Sequence, residues 1–148
     1  MYGRKYPITI TILSLVLLVP LLAACGGGSS GSKEPVEVQM TLSEFKIESS
    51  LTTFKAGVPY HFVVNNEGSV PHEIMVMEPM ETTEGIDMEE MDEMALAVIE
   101  EEDLPAGGST TLDFTFAEPA PAGTLEFACH IPGHYEGGMK LPIVVENN

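Results

Sequence analysis

The sequence predicts an all-β sandwich interrupted by one short helical insertion. Two observations carry this expectation. Beyond residue 35, most of the chain falls into short runs rich in β-branched and aromatic residues, separated by Gly, Pro and Asn. One stretch, Met80 to Asp103, is instead dense in Glu, Asp and Met and has no period-2 pattern.

The strands can be taken in order. Val36 to Ile47 alternates loosely and contains Phe45. Pro59 to Asn66 carries Tyr60, Phe62, Val63 and Val64, residue types that suit a pleated, half-buried surface. Asn65 to Gly68 reads as a turn. His72 to Glu78 is a further strand. Thr110 to Phe116 places Leu112, Phe114 and Phe116 on one face, because side chains alternate along a strand. Gly123 to Cys129 and Met139 to Glu146 complete the set. No internal repeat is visible. Within the insertion, Ile86 to Glu100 holds good helix formers and predicts three to four helical turns, ended by Pro105 and Gly107-Gly108.

The first 24 residues stand apart. Arg4 and Lys5 precede a largely apolar run from Ile8 to Ala24, with small residues before Cys25. This is the order of charge, apolar stretch and small residues in an export signal. Leu22-Ala23-Ala24-Cys25 fits the bacterial lipobox, which makes Cys25 the expected lipidation site. An uncleaved membrane helix is the alternative, but the run is short and broken by Thr9, Thr11, Ser14 and Pro20. Gly26 to Ser32 contains only Gly and Ser, a flexible tether. The expected organisation is a signal over 1–24, a lipidated Cys and tether over 25–35, and one domain over 36–148. That places the protein outside the cytoplasm, held to a membrane on the periplasmic or cell-surface side.

Charge narrows the partners. The chain has 23 acidic and 6 basic residues, a formal balance of −17, and losing Arg4 and Lys5 with the signal takes it to −19. A nucleic-acid partner is excluded, because phosphate binding needs a basic surface. A cationic protein partner fits this field.

The chain has two cysteines. With Cys25 consumed by lipid, Cys129 has no disulfide partner in an oxidising compartment. It is then a small buried hydrophobe, a reactive thiol or a metal ligand. The surrounding stretch, Cys129-His130-Ile131-Pro132-Gly133-His134-Tyr135-Glu136-Gly137-Gly138-Met139, favours the last. A thiolate, an imidazole and a thioether lie in one loop whose Pro and Gly residues force tight turns. Sulfur ligands with imidazole select copper over harder ions, and two His, one Cys and a weak axial Met make the trigonal blue-copper set. His72, which follows Pro71 at the start of a strand, is the candidate for the second histidine. Structural zinc would pair ligands at short Cys-x2-Cys or His-x3-His spacing, and only one Cys is available. A cysteine hydrolase is poorly supported, since no third member or oxyanion donor accompanies Cys129 and His134.

On these residues the chain resembles the plastocyanin/azurin family of cupredoxins. Asn65-Asn66-Glu67-Gly68-Ser69-Val70-Pro71-His72 is similar to the family segment that supplies the first histidine. Cys129 to Met139 is similar to its Cys-x4-His-x4-Met loop, with the spacing of auracyanin-like and rusticyanin-like members. The resemblance covers most of Val36 to Val145. It implies a Greek-key sandwich with one type 1 copper at one end, held by His72, Cys129, His134 and Met139. It also implies single-electron transfer with a redox protein partner and no enzymatic activity. Two departures stand out: Glu73 occupies the place where plastocyanins usually carry Asn, and the Met80 to Asp103 insertion is larger than theirs.

Other residues carry competing readings. His130 neighbours Cys129 on a strand, so it should point away from copper and lie near the surface. His61, in mid-strand, reads as structural. Met88, Met91 and Met94 span about a third of a helix circumference and could share a face. They read as the apolar seam that docks the helix, with Leu96 or Ile99 beside it. The alternative is a Cu(I) site of soft thioethers, which would favour copper delivery over electron transfer.

Overall fold

A computed structural model of the chain describes residues 34–81 and 85–148. The signal segment, Cys25 and the Gly/Ser tether lie outside the described residues.

Among the described residues, nine strands form two sheets. The first sheet has the order β2-β1-β4-β7, from β1 (Val36–Ser43), β2 (Lys46–Ser49), β4 (Pro59–Asn66) and β7 (Ser109–Thr115). The second has the order β3-β9-β8-β5-β6, from β3 (Thr53–Lys55), β5 (Ile74–Met77), β6 (Ala97–Ile99), β8 (Ala120–Ala128) and β9 (Lys140–Glu146). β1 runs parallel to β4, and β3 runs parallel to β9; the remaining pairs are antiparallel. The sandwich expected from the sequence is present.

Alternation explains how the sheets close on each other. β4 buries Tyr60, Phe62 and Val64 and leaves the residues between them half-exposed. β1 contributes Val38, Met40 and Leu42 to the same core, while Ile74, Val76, Phe127, Ile143 and Val145 face them from the second sheet. Phe54 of the short β3 sits among the rings of Tyr60, Phe62, Phe116 and Phe127, with centroids 4.9 to 5.9 Å away. Tilted and edge-on aromatic packing of this kind adds to simple burial.

β5 departs from alternation, because all four of its residues are buried. Ile74 and Val76 enter the main core. Met75 and Met77 point to the outer face, where Met91 of the insertion covers them. A sheet covered on both faces loses its polar side.

The insertion corrects two expectations. The helix α1 is short, Met88–Met94, capped by the Asp87 side chain accepting from Glu90 N–H at 2.9 Å. The residues expected to continue it form β6 instead, antiparallel to β5, and Leu96 N–H donates to Val76 C=O at 2.7 Å. Val98 and Ile99 are β-branched, and the free edge of β5 offers unpaired main-chain groups that a longer helix would leave exposed. The methionine face also divides: Met91 is buried, Met88 half-buried and Met94 47% exposed. Leu96 is exposed as well, and Ile99 joins the main core through β6. The seam is Met91 and Met88 over Met75 and Met77, with Met80 at its margin.

Candidate metal centre

Two connections at one end of the sandwich, one crossing between the sheets and one a hairpin, bring the site together. The first joins β4 to β5. Asn66, buried at the end of β4, donates to Val70 C=O at 2.8 Å and to Leu104 and Pro105 C=O at 3.1 Å. Its side-chain oxygen accepts Gly68 N–H at 2.8 Å. One amide thus folds the segment that ends at His72, and His72 N–H is fixed in turn to Leu104 C=O at 3.2 Å. The second connection joins β8 to β9. Its base is closed by Cys129 N–H donating to Met139 C=O at 3.1 Å, and Met139 N–H donates to His134 C=O at 3.0 Å. The tight turns foreseen from Pro132, Gly133, Gly137 and Gly138 are therefore real, and they hold Cys129, His134 and Met139 in one loop.

Three donor atoms converge. His72 Nδ1 lies 3.3 Å from His134 Nδ1, and Cys129 Sγ lies 3.3 Å from the same His134 nitrogen. All three fall within 4.8 Å of one another, and His72 and Cys129 are fully buried while His134 keeps a partly exposed edge. Met139 is fully buried beside them in the main core.

The electrostatics suit a bound cation. Burial pushes the Cys129 thiol up to about 11, against the opposing effect of main-chain N–H groups of Glu73 and Ile131. Without a cation, the thiol therefore stays protonated at neutral pH. Burial, helped by neighbouring His134, lowers the His72 pKa and keeps the ring neutral, the form that ligates metals. Between the facing nitrogens of His72 and His134 only one proton fits, so at least one of the two presents a lone pair to the site. Two imidazoles and a thiol meeting in this way fit copper by donor softness.

The comparisons with known proteins agree. The chain is 28% identical over 124 residues to the copper-resistant cuproprotein CopI of Rubrivivax gelatinosus, across 80% of this chain and 70% of that protein. The sandwich superposes on auracyanin from Roseiflexus castenholzii with a TM-score of 0.56 and 22% identity, covering 76% of this chain and 98% of auracyanin. The chain has the cupredoxin fold. Rusticyanin from Thiobacillus ferrooxidans matches with a TM-score of 0.54 and 20% identity, over 76% of this chain and 77% of rusticyanin. No family model matches the chain.

Within this cupredoxin fold, several residues act on the site through contacts that the sequence does not show. Glu73 is buried, and its carboxylate accepts the His130 N–H at 2.5 Å. Burial raises its pKa to about 7, the hydrogen bond from His130 opposing the shift. Phe45 is the second residue of the two-residue turn between β1 and β2, with a φ of 60° that a bulky side chain rarely adopts. Its ring meets His134 edge-on at 5.7 Å and lies where a Cβ on Gly137 would sit. Glu44, in the same turn, accepts Ser69 N–H at 2.6 Å and Ser69 Oγ–H at 2.7 Å, tying the turn to the loop before His72. Gly68 reads in sequence only as a turn residue, yet a Cβ there would stand 2.8 Å from His72 Nε2. The one sequence signal for Phe45 is a large aromatic directly after Glu44 in a loosely alternating run.

His130 requires a correction. It points away from the three donors, as alternation predicts, but it is buried rather than near the surface. The insertion and the ring of Tyr135 cover it, and His130 stacks on Tyr135 with centroids 4.4 Å apart. Among the described residues neither ring nitrogen has a hydrogen-bond partner, a loss of about 1–3 kcal/mol for a buried polar group. Burial lowers its pKa. His61 is half-exposed and pairs with Asp113 across β4 and β7 at 2.6 Å, a structural contact as expected.

Proposed function

We propose that this protein is a type 1 copper electron carrier that works outside the cytoplasm, anchored to a membrane through Cys25. The observation that carries the reading is the convergence of His72 Nδ1, His134 Nδ1 and Cys129 Sγ, sealed except at one histidine edge. In this reading Met139, buried beside them, would supply the fourth, thioether donor. Copper held there supplies a one-electron couple that needs little change of ligand arrangement.

The chain's own residues perform three tasks. Asn66, Glu73 and the hairpin base hold the donors in place, so the site changes little when its charge changes. Burial of His72 and Cys129 excludes water from the thiolate. His134 alone reaches the surface, beside Phe45 at 51% exposure, and Val70 at 37% lies on the loop that Glu44 ties to the Phe45 turn. An apolar rim around a single exposed ligand edge suits brief contact with a redox protein, and the acidic balance suits a cationic one.

A second reading is copper binding or delivery, supported by the likeness to CopI. A delivery site should exchange its ion with ease, whereas two of these three donors are fully buried, which favours the carrier. The deciding experiment is the visible spectrum and electron exchange of the copper-loaded protein. An intense thiolate-to-copper band that Cys129→Ala removes, with reversible one-electron exchange, is the expected result. Met139→Leu should keep copper and raise the potential. A colourless copper protein, or rapid loss of copper to a chelator without redox exchange, would move the assignment to delivery.

A further inference from the structure

We infer that His130, Met88 and Met91 form a second, soft-metal site for Cu(I), separate from the His72–Cys129–His134 centre, which would add copper handling to the carrier's role. The three residues line one open cleft of about 790 Å³ between the insertion and the ligand loop. His130 is 4% exposed, and among the described residues neither of its ring nitrogens has a partner. An imidazole always carries at least one lone pair or N–H on each nitrogen, so the site is short of two interactions. A cation can take the lone pair.

The donors around it decide which cation. Met91 is buried and Met88 half-buried on the helix α1, and Met75, Met77 and Met80 pack behind them. The two thioethers that line the cleft are soft donors and the imidazole a softer one than any carboxylate, a set that binds Cu(I) and discriminates against calcium, magnesium and manganese. Glu81, Asp87 and Glu136 outweigh Lys140 among the charged residues lining the cleft, a net negative field that draws a cation in.

The imidazole is held for this purpose. Its ring stacks on Tyr135, at an interplanar angle of 18°. Tyr135 is itself fixed, its O–H donating to buried Glu126 at 2.6 Å and accepting Met80 N–H at 3.0 Å. Fixed orientation of a ligating ring by its neighbours is a general feature of metal sites. Tyr135 also bridges the two sides of the cleft, since Met80 belongs to the insertion and His130 to the ligand loop. Packing alone explains Met91 over Met75 and Met77. It does not explain a histidine with two unsatisfied nitrogens opening into the same cleft.

The test is an anaerobic titration of the fully reduced, copper-loaded chain with further Cu(I) against a chromogenic chelator. The chain carries Cys25→Ser, so that Cys129 holds its only thiol. The expected result is a second equivalent bound by this protein and absent from Met88→Leu/Met91→Leu. That substitution keeps apolar bulk and removes both sulfurs. The thiolate-to-copper band after reoxidation should be the same in both. Methyl NMR of the unsubstituted methionines gives an independent reading that needs no variant: the Met88 and Met91 signals should move with the second equivalent and stay still with the first. A protein that binds one equivalent only, a second equivalent that survives both substitutions, or methyl signals that do not move would overturn the proposal. The first centre's colour is read separately, so failure of one site is not mistaken for failure of the other.

Discussion

The Glu73 carboxylate accepts the main-chain N–H of His130 at 2.5 Å, joining the residue after one donor to the residue after another across 57 positions of sequence. His72 and Cys129 thereby belong to one rigid unit, although one ends the β4–β5 connection and the other begins the β8–β9 loop. Glu73→Ala leaves the buried N–H without an acceptor and should cost about 1–3 kcal/mol in the metal-free protein. Glu73→Gln keeps a carbonyl acceptor and should cost less. Denaturant unfolding of the two variants checks this; equal losses would show that the hydrogen bond is not what matters.

Gly68 lies against the first histidine. A methyl group there would meet His72 Nε2 at 2.8 Å and Asn66 Oδ1 at 3.0 Å, and both are held by their surroundings. Gly68→Ala should therefore turn the His72 ring and weaken copper binding by roughly 10–100-fold, the range for disturbed supporting contacts. Gly57, where a Cβ would meet nothing, is the control for a loop glycine, judged by copper affinity rather than stability because its φ is positive. Copper competition titrations of both variants separate the effects.

Acid should loosen the tie between the Phe45 turn and the His72 loop. The main-chain and side-chain hydrogen bonds from Ser69 hold the Glu44 carboxyl down from 4.5 to about 2. A depressed folded-state pKa means that this contribution is complete above about 4.5 and is lost as pH falls through 2. Between those values, unfolding midpoints of the metal-free protein should fall more steeply with acid than those of Glu44→Gln. Parallel curves would remove Glu44 from the account.

The anchor has its own readout. Full-length protein should sediment with membranes, and Cys25→Ser, if still exported and cleaved, should be released. Lipidation at a lipobox cysteine supplies more than one acyl chain, and a single chain binds only marginally. Cleaved, unlipidated protein that stays on the membrane would show that something else holds it.

Much of this was legible in the sequence because the ligand loop is local. Cys129, His134 and Met139 lie within eleven residues, and turn chemistry alone brings them together. The strand β4 was equally plain, since burial on one face imposes period 2 on Pro59–Asn66. What was hidden depends on partners distant in sequence. β6 is a strand because β5 offers an edge, not because Ala97–Ile99 declares itself. Phe54 anchors the core from a three-residue strand too short to show a pattern. Asn66 looks like an ordinary polar residue, and Glu73 only like a departure from the family, until their acceptors and donors, up to 57 residues away, are known. The same holds for His130, whose burial depends on the insertion folding over β5.

The hairpin base that closes between Cys129 and Met139 also has an evolutionary meaning. β8 and β9 pair directly below it, Ala128 opposite Lys140, so the sandwich is complete before the loop begins. Apart from His130 and Tyr135, which are tied to Glu73, Glu126 and Met80, the loop can then lengthen, shorten or change character with little penalty to the sheets. Redox tuning and foldability become separable traits. A lineage can explore new partners and potentials by drift in this one loop while inheriting its scaffold unchanged.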